Sequence, residues 1–145
     1  MIRLRSALLA VVMAATIALA GLGFAPAAQA ETYTSAQKSQ IEIFVPGVQE
    51  LRDRLPEVET FIAGKRWRDI QTFIHGPLGE LRERLSRVSR RLKGSDRATA
   101  EAAAKDLSKH LVALDEFAGK FDYKRAGNEY LAAVKAFDQF LSVVP

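Results

Sequence analysis

Between Trp67 and Leu92, apolar side chains recur mostly three and four residues apart: Trp67, Ile70, Phe73, Ile74, Leu78, Leu81, Leu85, Val88 and Leu92. That spacing lays one apolar stripe along a helix, whereas a half-buried strand would alternate with a period of two. The opposite face carries Arg68, Arg82, Arg84, Arg87, Arg90 and Arg91. Gly76-Pro77 breaks the pattern, because Pro77 has no N–H and its ring crowds the carbonyl of Phe73. The residue before a proline resists the α region, and here it is glycine, the most permissive choice. The pattern predicts one long helix with a kink at His75-Gly76-Pro77. Two reasons for such a kink stand open: wrapping the helix around a core, and forming a docking feature on the surface.

The same periodicity organises the flanking sequence. A first helix is expected over residues 46–63, with Pro46 at its start, Pro56 bending it and Gly64 ending it. Val48, Leu51, Leu55, Val58 and Ile62 form its stripe. Lys65-Arg66 links it to the organising helix, which ends near Lys93-Gly94. Ser95 or Asp96 is a candidate N-cap for a third helix that runs to about residue 120. Its stripe is Ala100, Ala103, Ala104, Leu107, Leu111, Leu114 and Phe117 or Ala118, and the alanines allow close approach of a neighbour. Asp122 is placed to cap a fourth helix over 123–143, buried at Tyr130, Val134, Phe137, Leu141 and Val144. No stretch has strand alternation or a hairpin signal. The expected fold is all-α, a four-helix up-down-up-down bundle over residues 46–145.

Two segments precede that bundle. Residues 1–30 read as a Sec-type signal peptide: Arg3 and Arg5, an uncharged apolar run over 7–22, and Ala28-Gln29-Ala30 as the cleavage site. A retained membrane anchor is the alternative, but the run is short and Gly21, Gly23 and Pro26 follow it. Residues 31–45 form an N-terminal arm, polar and flexible up to Gln40, although a helix could begin after Ser35 were it not disturbed by Pro46-Gly47. Ile41, Ile43, Phe44 and Val45 are too apolar for a free tail and are expected to pack on the domain or on a partner. After cleavage 19 of the 21 basic residues remain against 17 acids, and the excess gathers between Arg82 and Lys93. The chain has no cysteine, which excludes disulfides, thiol nucleophiles, cysteine metal sites and a thioether lipid anchor.

Residues for catalysis are scarce. There is no His-Glu-x-x-His, no phosphate-cradling glycine loop and no nucleophile elbow. Asp106 and His110 lie four apart on one helical face, where they could hold a divalent ion loosely or make a solvated ion pair. His75 beside the kink is open to two readings, a core imidazole bonded to a backbone group that Pro77 frees, and a metal ligand. The cluster Arg82, Arg84, Arg87, Arg90, Arg91 and Lys93 is either a solvated face or a surface for an acidic protein or anionic lipid. No aromatic residues interleave it to stack bases, which argues against nucleic acid. Gln at Arg84, Arg87 and Arg91 is expected to leave the fold intact and to weaken docking.

The segment Trp67-Arg68-Asp69-Ile70-Gln71-Thr72-Phe73-Ile74-His75-Gly76-Pro77-Leu78-Gly79-Glu80-Leu81-Arg82 resembles the second helix of PsbQ-type extrinsic proteins of photosystem II in their cyanobacterial form. Trp67, Phe73, His75, Gly76 and Pro77 carry the most specific part. Asp106-Leu107, His110-Leu111 and Leu114-Asp115 are similar to the third helix, and Tyr130, Phe137, Phe140-Leu141 and Pro145 to the fourth. The resemblance implies a four-helix bundle on the lumenal side of the thylakoid membrane. It implies no enzyme, but an extrinsic subunit that stabilises the oxygen-evolving complex, supports its calcium and chloride requirement, and assists assembly with other extrinsic proteins. It implies no tightly bound cofactor. Some members bind zinc, but beyond the two histidines no ligand position maps here. Cyanobacterial members commonly end their signal in a lipidated cysteine; this chain lacks one, so peripheral attachment through protein contacts is expected. The reading from a different class is an exported periplasmic helical-bundle binding or chaperone protein.

Overall fold

The computed structural model describes residues 32–145, so the expected signal peptide lies outside the described residues. The described chain is all-α, without a strand. Its helices are α1 (Ser35–Glu42), α2 (Val45–Arg54), α3 (Pro56–Ala63), α4 (Trp67–His75), α5 (Leu81–Ser89), α6 (Gly94–Gly119) and α7 (Tyr123–Ser142). None of them is long and apolar enough to cross a membrane.

The polar arm expected before residue 41 instead folds as α1. Thr34 and Gln37 form a capping box, each side chain bonding the other's backbone N–H, which satisfies two donors that a helix start would leave open. Ile41 is buried and Phe44 and Val45 pack against the core, while Ile43 stays exposed. Tyr33 anchors the segment: its hydroxyl donates to Asp96 Oδ2 (3.0 Å) and accepts from the Lys93 N–H (3.0 Å). Asp96 thus serves Tyr33 instead of capping the third helix, which starts two to three residues earlier than expected, at Gly94 in a left-handed conformation (φ 42°).

The first two expected helices are both divided. Leu55 keeps helical dihedrals, so Pro56 separates α2 from α3 by a bend and not a loop. The kink at His75-Gly76-Pro77 is a larger change than expected. The helix stops at His75, and residues 76–80 form a turn before α5. The Leu78 N–H reaches the Phe73 carbonyl (3.1 Å) and the buried Leu78 pins the turn to the core. A Cβ at Gly76 would stand 2.8 Å from the Thr72 carbonyl oxygen, and one at Gly79 would stand 2.9 Å from that of His75. Both glycines are therefore required by close backbone approach.

Helices α6 and α7 run uninterrupted and pack along each other. Their contact is built from buried Ala100, Ala103, Ala118, Ala126, Ala133 and Ala136, with Leu107, Leu114, Phe137 and Phe140 filling the core. Phe140 is fully buried and Leu141 only half-buried, so the inner face of α7 is rotated from the stripe read in the sequence. Asp122 caps α7 as expected, accepting from the Arg125 N–H (3.0 Å). Other packed pairs include α3–α4, α2–α5, α4–α6, α5–α6 and α3–α7. Phe73 sits edge-on to Phe61, with ring centroids 6.2 Å apart.

Two joins end in Schellman turns. In the first, Arg66 N–H bonds the Phe61 carbonyl and Lys65 N–H that of Ile62; in the second, Asp122 N–H bonds Phe117 and Phe121 N–H bonds Ala118. The left-handed position belongs to Lys65 (φ 53°) and Phe121 (φ 58°), not to the neighbouring Gly64 and Gly119.

Candidate docking surface

Leu81, Leu85, Val88 and Leu92 turn inward from α5 and the residue pairs beyond it, leaving the basic residues on two flanks. The flanks differ in what they meet. Toward α1 and α2, Arg84 Nη1 donates to the Gly47 carbonyl (3.0 Å), while its Nη2 donates to Glu80 (3.1 Å). Arg87 pairs with Glu83. The Arg91 guanidinium lies 3.7 Å from the centroid of the Phe44 ring, and its Nη1 donates to the Arg87 carbonyl. Lys93 Nζ donates to Gln37 Oε1 (2.7 Å) above the Tyr33 ring. Arg84, Arg91 and Lys93 thus tie α5 and its exit to the preceding segment, while Arg87 is paired within its own helix. The expectation that Gln at Arg84, Arg87 and Arg91 would leave the fold untouched is therefore corrected: Arg84 satisfies a backbone carbonyl, and Arg91 covers an aromatic face.

On the other flank, Arg82 and Arg90 border a groove between α5 and α6. It encloses about 310 Å³ and is lined also by Ser86, Ser89, Ala104, Lys105 and Ser108. Two of the three hydroxyls are spent: Ser89 donates to the Leu85 carbonyl (3.0 Å) and Ser108 to that of Ala104 (2.9 Å). The acid at its edge, Glu101, is held by Arg97. Arg82, Arg90 and Lys105 have no ion-pair partner among the described residues. Past Arg82 and Ser108 a second hollow of about 350 Å³ continues to Leu78, Leu111, exposed Val112 and His75. The result is an apolar-floored channel with three unneutralised cations on its rim. Such a surface attracts negative charge and offers little chemistry beyond binding.

Lys105 was missed in the sequence because it lies on another helix, far along the chain from the arginines. The one available signal was that its i−4 neighbour, Glu101, is also the i+4 partner of Arg97.

The histidines sit elsewhere than expected. His75 is exposed, with Nε2 3.2 Å from Asp115 Oδ2 on α6, so it is not a core imidazole bonded to a freed backbone group. The other oxygen of Asp115 is buried without a hydrogen bond. His110 Nδ1 lies 2.7 Å from Glu129 Oε2 on α7, bridging the two long helices instead of facing Asp106. No group of three His, Cys, Asp or Glu residues comes together among the described residues. His75, His110 and Asp106 thus belong to no common site.

Comparison with known proteins bears on what such a surface serves. The family model for PsbQ, described as oxygen evolving enhancer protein 3, matches residues 3–145. The chain is also similar to a curated protein named CyanoQ from Synechocystis sp. (strain ATCC 27184 / PCC 6803 / Kazusa). The two are 32% identical over 146 residues, covering 100% of this chain and 98% of that protein.

Proposed function

Because the chain belongs to the PsbQ family, whose members are non-catalytic extrinsic subunits of the oxygen-evolving complex, we propose that it docks on the lumenal side of photosystem II through the groove between α5 and α6. The observation that carries this reading is the trio Arg82, Arg90 and Lys105, left without partners around an apolar floor. The fitting occupant is an acidic segment of a photosystem II subunit or of another extrinsic protein, laid along the groove. Attached there, the protein stabilises the oxygen-evolving complex, supports its calcium and chloride requirement, and assists assembly. It does so in the thylakoid lumen after export by a Sec-type signal, as a peripheral protein and without a tightly bound cofactor. We read its helices as four columns in up-down-up-down order: α2 with α3, α4 with α5, then α6 and α7. The packing of α3 on α4 and of α6 on α7 supports that order.

Affinity purification of photosystem II tests the reading. The protein should co-enrich at low salt and be released at high salt, where exposed charges are screened. Arg82→Gln with Arg90→Gln should keep the fold and weaken that association, most clearly at low salt. Undiminished binding by the folded double variant would move the docking surface away from this groove.

A further inference from the structure

The joins 64–66 and 120–122 meet at one end of the molecule, where Phe121 sits edge-on to Trp67 with ring centroids 6.2 Å apart. Phe121 is 69% exposed in a left-handed conformation. Both facts count against it as a folding residue: a Cβ is disfavoured there, and the ring buries little. Glycine would suit the turn, and the chain places one two residues earlier without using it at the left-handed position. Residues held at a local cost mark functional positions more often than chance.

The surroundings define what such a ring would meet. Tyr123, on the next turn, is also exposed, and the Trp67 indole N–H makes no hydrogen bond among the described residues. Lys65, Arg68 and Lys124 are exposed beside these rings and form no ion pair among the described residues. The neighbouring Arg66 and Arg125 are matched by Asp69 and Asp122, so the excess charge is positive. The turn carries its aromatic ring outward at a helix junction, so it suits a soft surface better than a preformed pocket. Aromatic side chains with a polar edge, ringed by unpaired Lys and Arg, match the headgroup layer of a bilayer that contains anionic lipid.

We propose that this end of the molecule, with Phe121 and Trp67 at its centre and Lys65, Arg68 and Lys124 around them, contacts an anionic lipid surface. It is separate from the groove between α5 and α6 and is testable without photosystem II. The protein is isolated from its source cells, and each variant likewise, so that whatever precedes residue 31 is common to all. Flotation is measured with vesicles of phosphatidylcholine alone and of phosphatidylcholine mixed with phosphatidylglycerol. Binding should require phosphatidylglycerol and fall as salt rises. Phe121→Gly should weaken it by roughly fivefold to tenfold, the loss of one partly buried aromatic ring. The same variant should melt at an unchanged or higher temperature, because glycine relieves the left-handed position. Phe121→Asn, also tolerant of that conformation, provides a second folded variant. Lys65→Gln with Arg68→Gln should cost about tenfold or more, since each cation near such a surface contributes several-fold. No binding to the mixed vesicles overturns the proposal. So does binding that the folded Phe121 variants leave unchanged, or an effect of those variants seen only on association with photosystem II proteins.

Discussion

Helices α6 and α7 run 26 and 20 residues without a break, whereas among the described residues no helix before them exceeds the 10 residues of α2. The long pair meets through alanines and two fully buried phenylalanines. The earlier half is divided at Pro56 and again by the turn 76–80. It buries Leu51, Leu55, Val58, Ile70, Leu85 and Val88 in the same core and adds polar ties, such as Arg84 on the Gly47 carbonyl and the Arg52–Asp138 pair that joins α2 to α7 at 2.6 Å. Close small-residue packing leaves α6 and α7 few ways to shift. Broken helices expose turns and flanks, and the groove between α5 and α6 lies along one of them. The difference sets an unbroken helical pair against a half whose breaks shape the surface.

The sharpest way to break that contrast is Phe137→Ala. The side chain is fully buried in α7, so its loss should cost about 3–5 kcal/mol in urea unfolding. A cost under about 1 kcal/mol would mean that the α6–α7 contact does not dominate the fold. Next comes the turn. Gly76→Val puts a branched side chain where a Cβ already stands 2.8 Å from the Thr72 carbonyl, before a proline. It should cost about 1–3 kcal/mol, and a melt indistinguishable from the parent would show that residues 76–80 relax freely. The smallest effect separates the two arginine flanks. Arg84→Gln should cost about 1 kcal/mol by freeing the Gly47 carbonyl at a partly exposed site. Arg82→Gln should stay within about 0.5 kcal/mol, because Arg82 holds nothing. Equal costs in thermal melts would erase the distinction between anchoring and free cations.

Periodicity made the helical class, the core of α6 and the Asp122 cap legible, because each depends on residues close in sequence. Family likeness was legible at 67–82, where glycine and proline spacing is unusual. What could not be read was set by contacts across the chain. Tyr33 takes over the Asp96 carboxylate; Glu129 takes His110 from Asp106; the ring of Phe44 takes Arg91. The basic cluster therefore looked uniform along the sequence, although four of its members face the N-terminal segment and two face α6. The turn at 76–80 was underestimated for a related reason. A kink and a full helix stop share the same Gly-Pro signature, and the backbone bonds of the turn, such as Leu78 N–H to the Phe73 carbonyl, decide between them.

The three-residue join between α6 and α7 also constrains the route by which the chain acquires its structure. Closing so short a loop costs little chain entropy, and the helices it joins are the longest among the described residues. Contacts such as Arg52 with Asp138 instead enclose most of the sequence and gain only after that entropy is lost. The C-terminal hairpin can therefore assemble first and act as the template on which the broken helices align. Pulse-labelled hydrogen exchange during refolding should accordingly protect amides of α6 and α7 before those of α2 to α5. Simultaneous protection throughout would mean that the halves, for all their difference in build, fold as one unit.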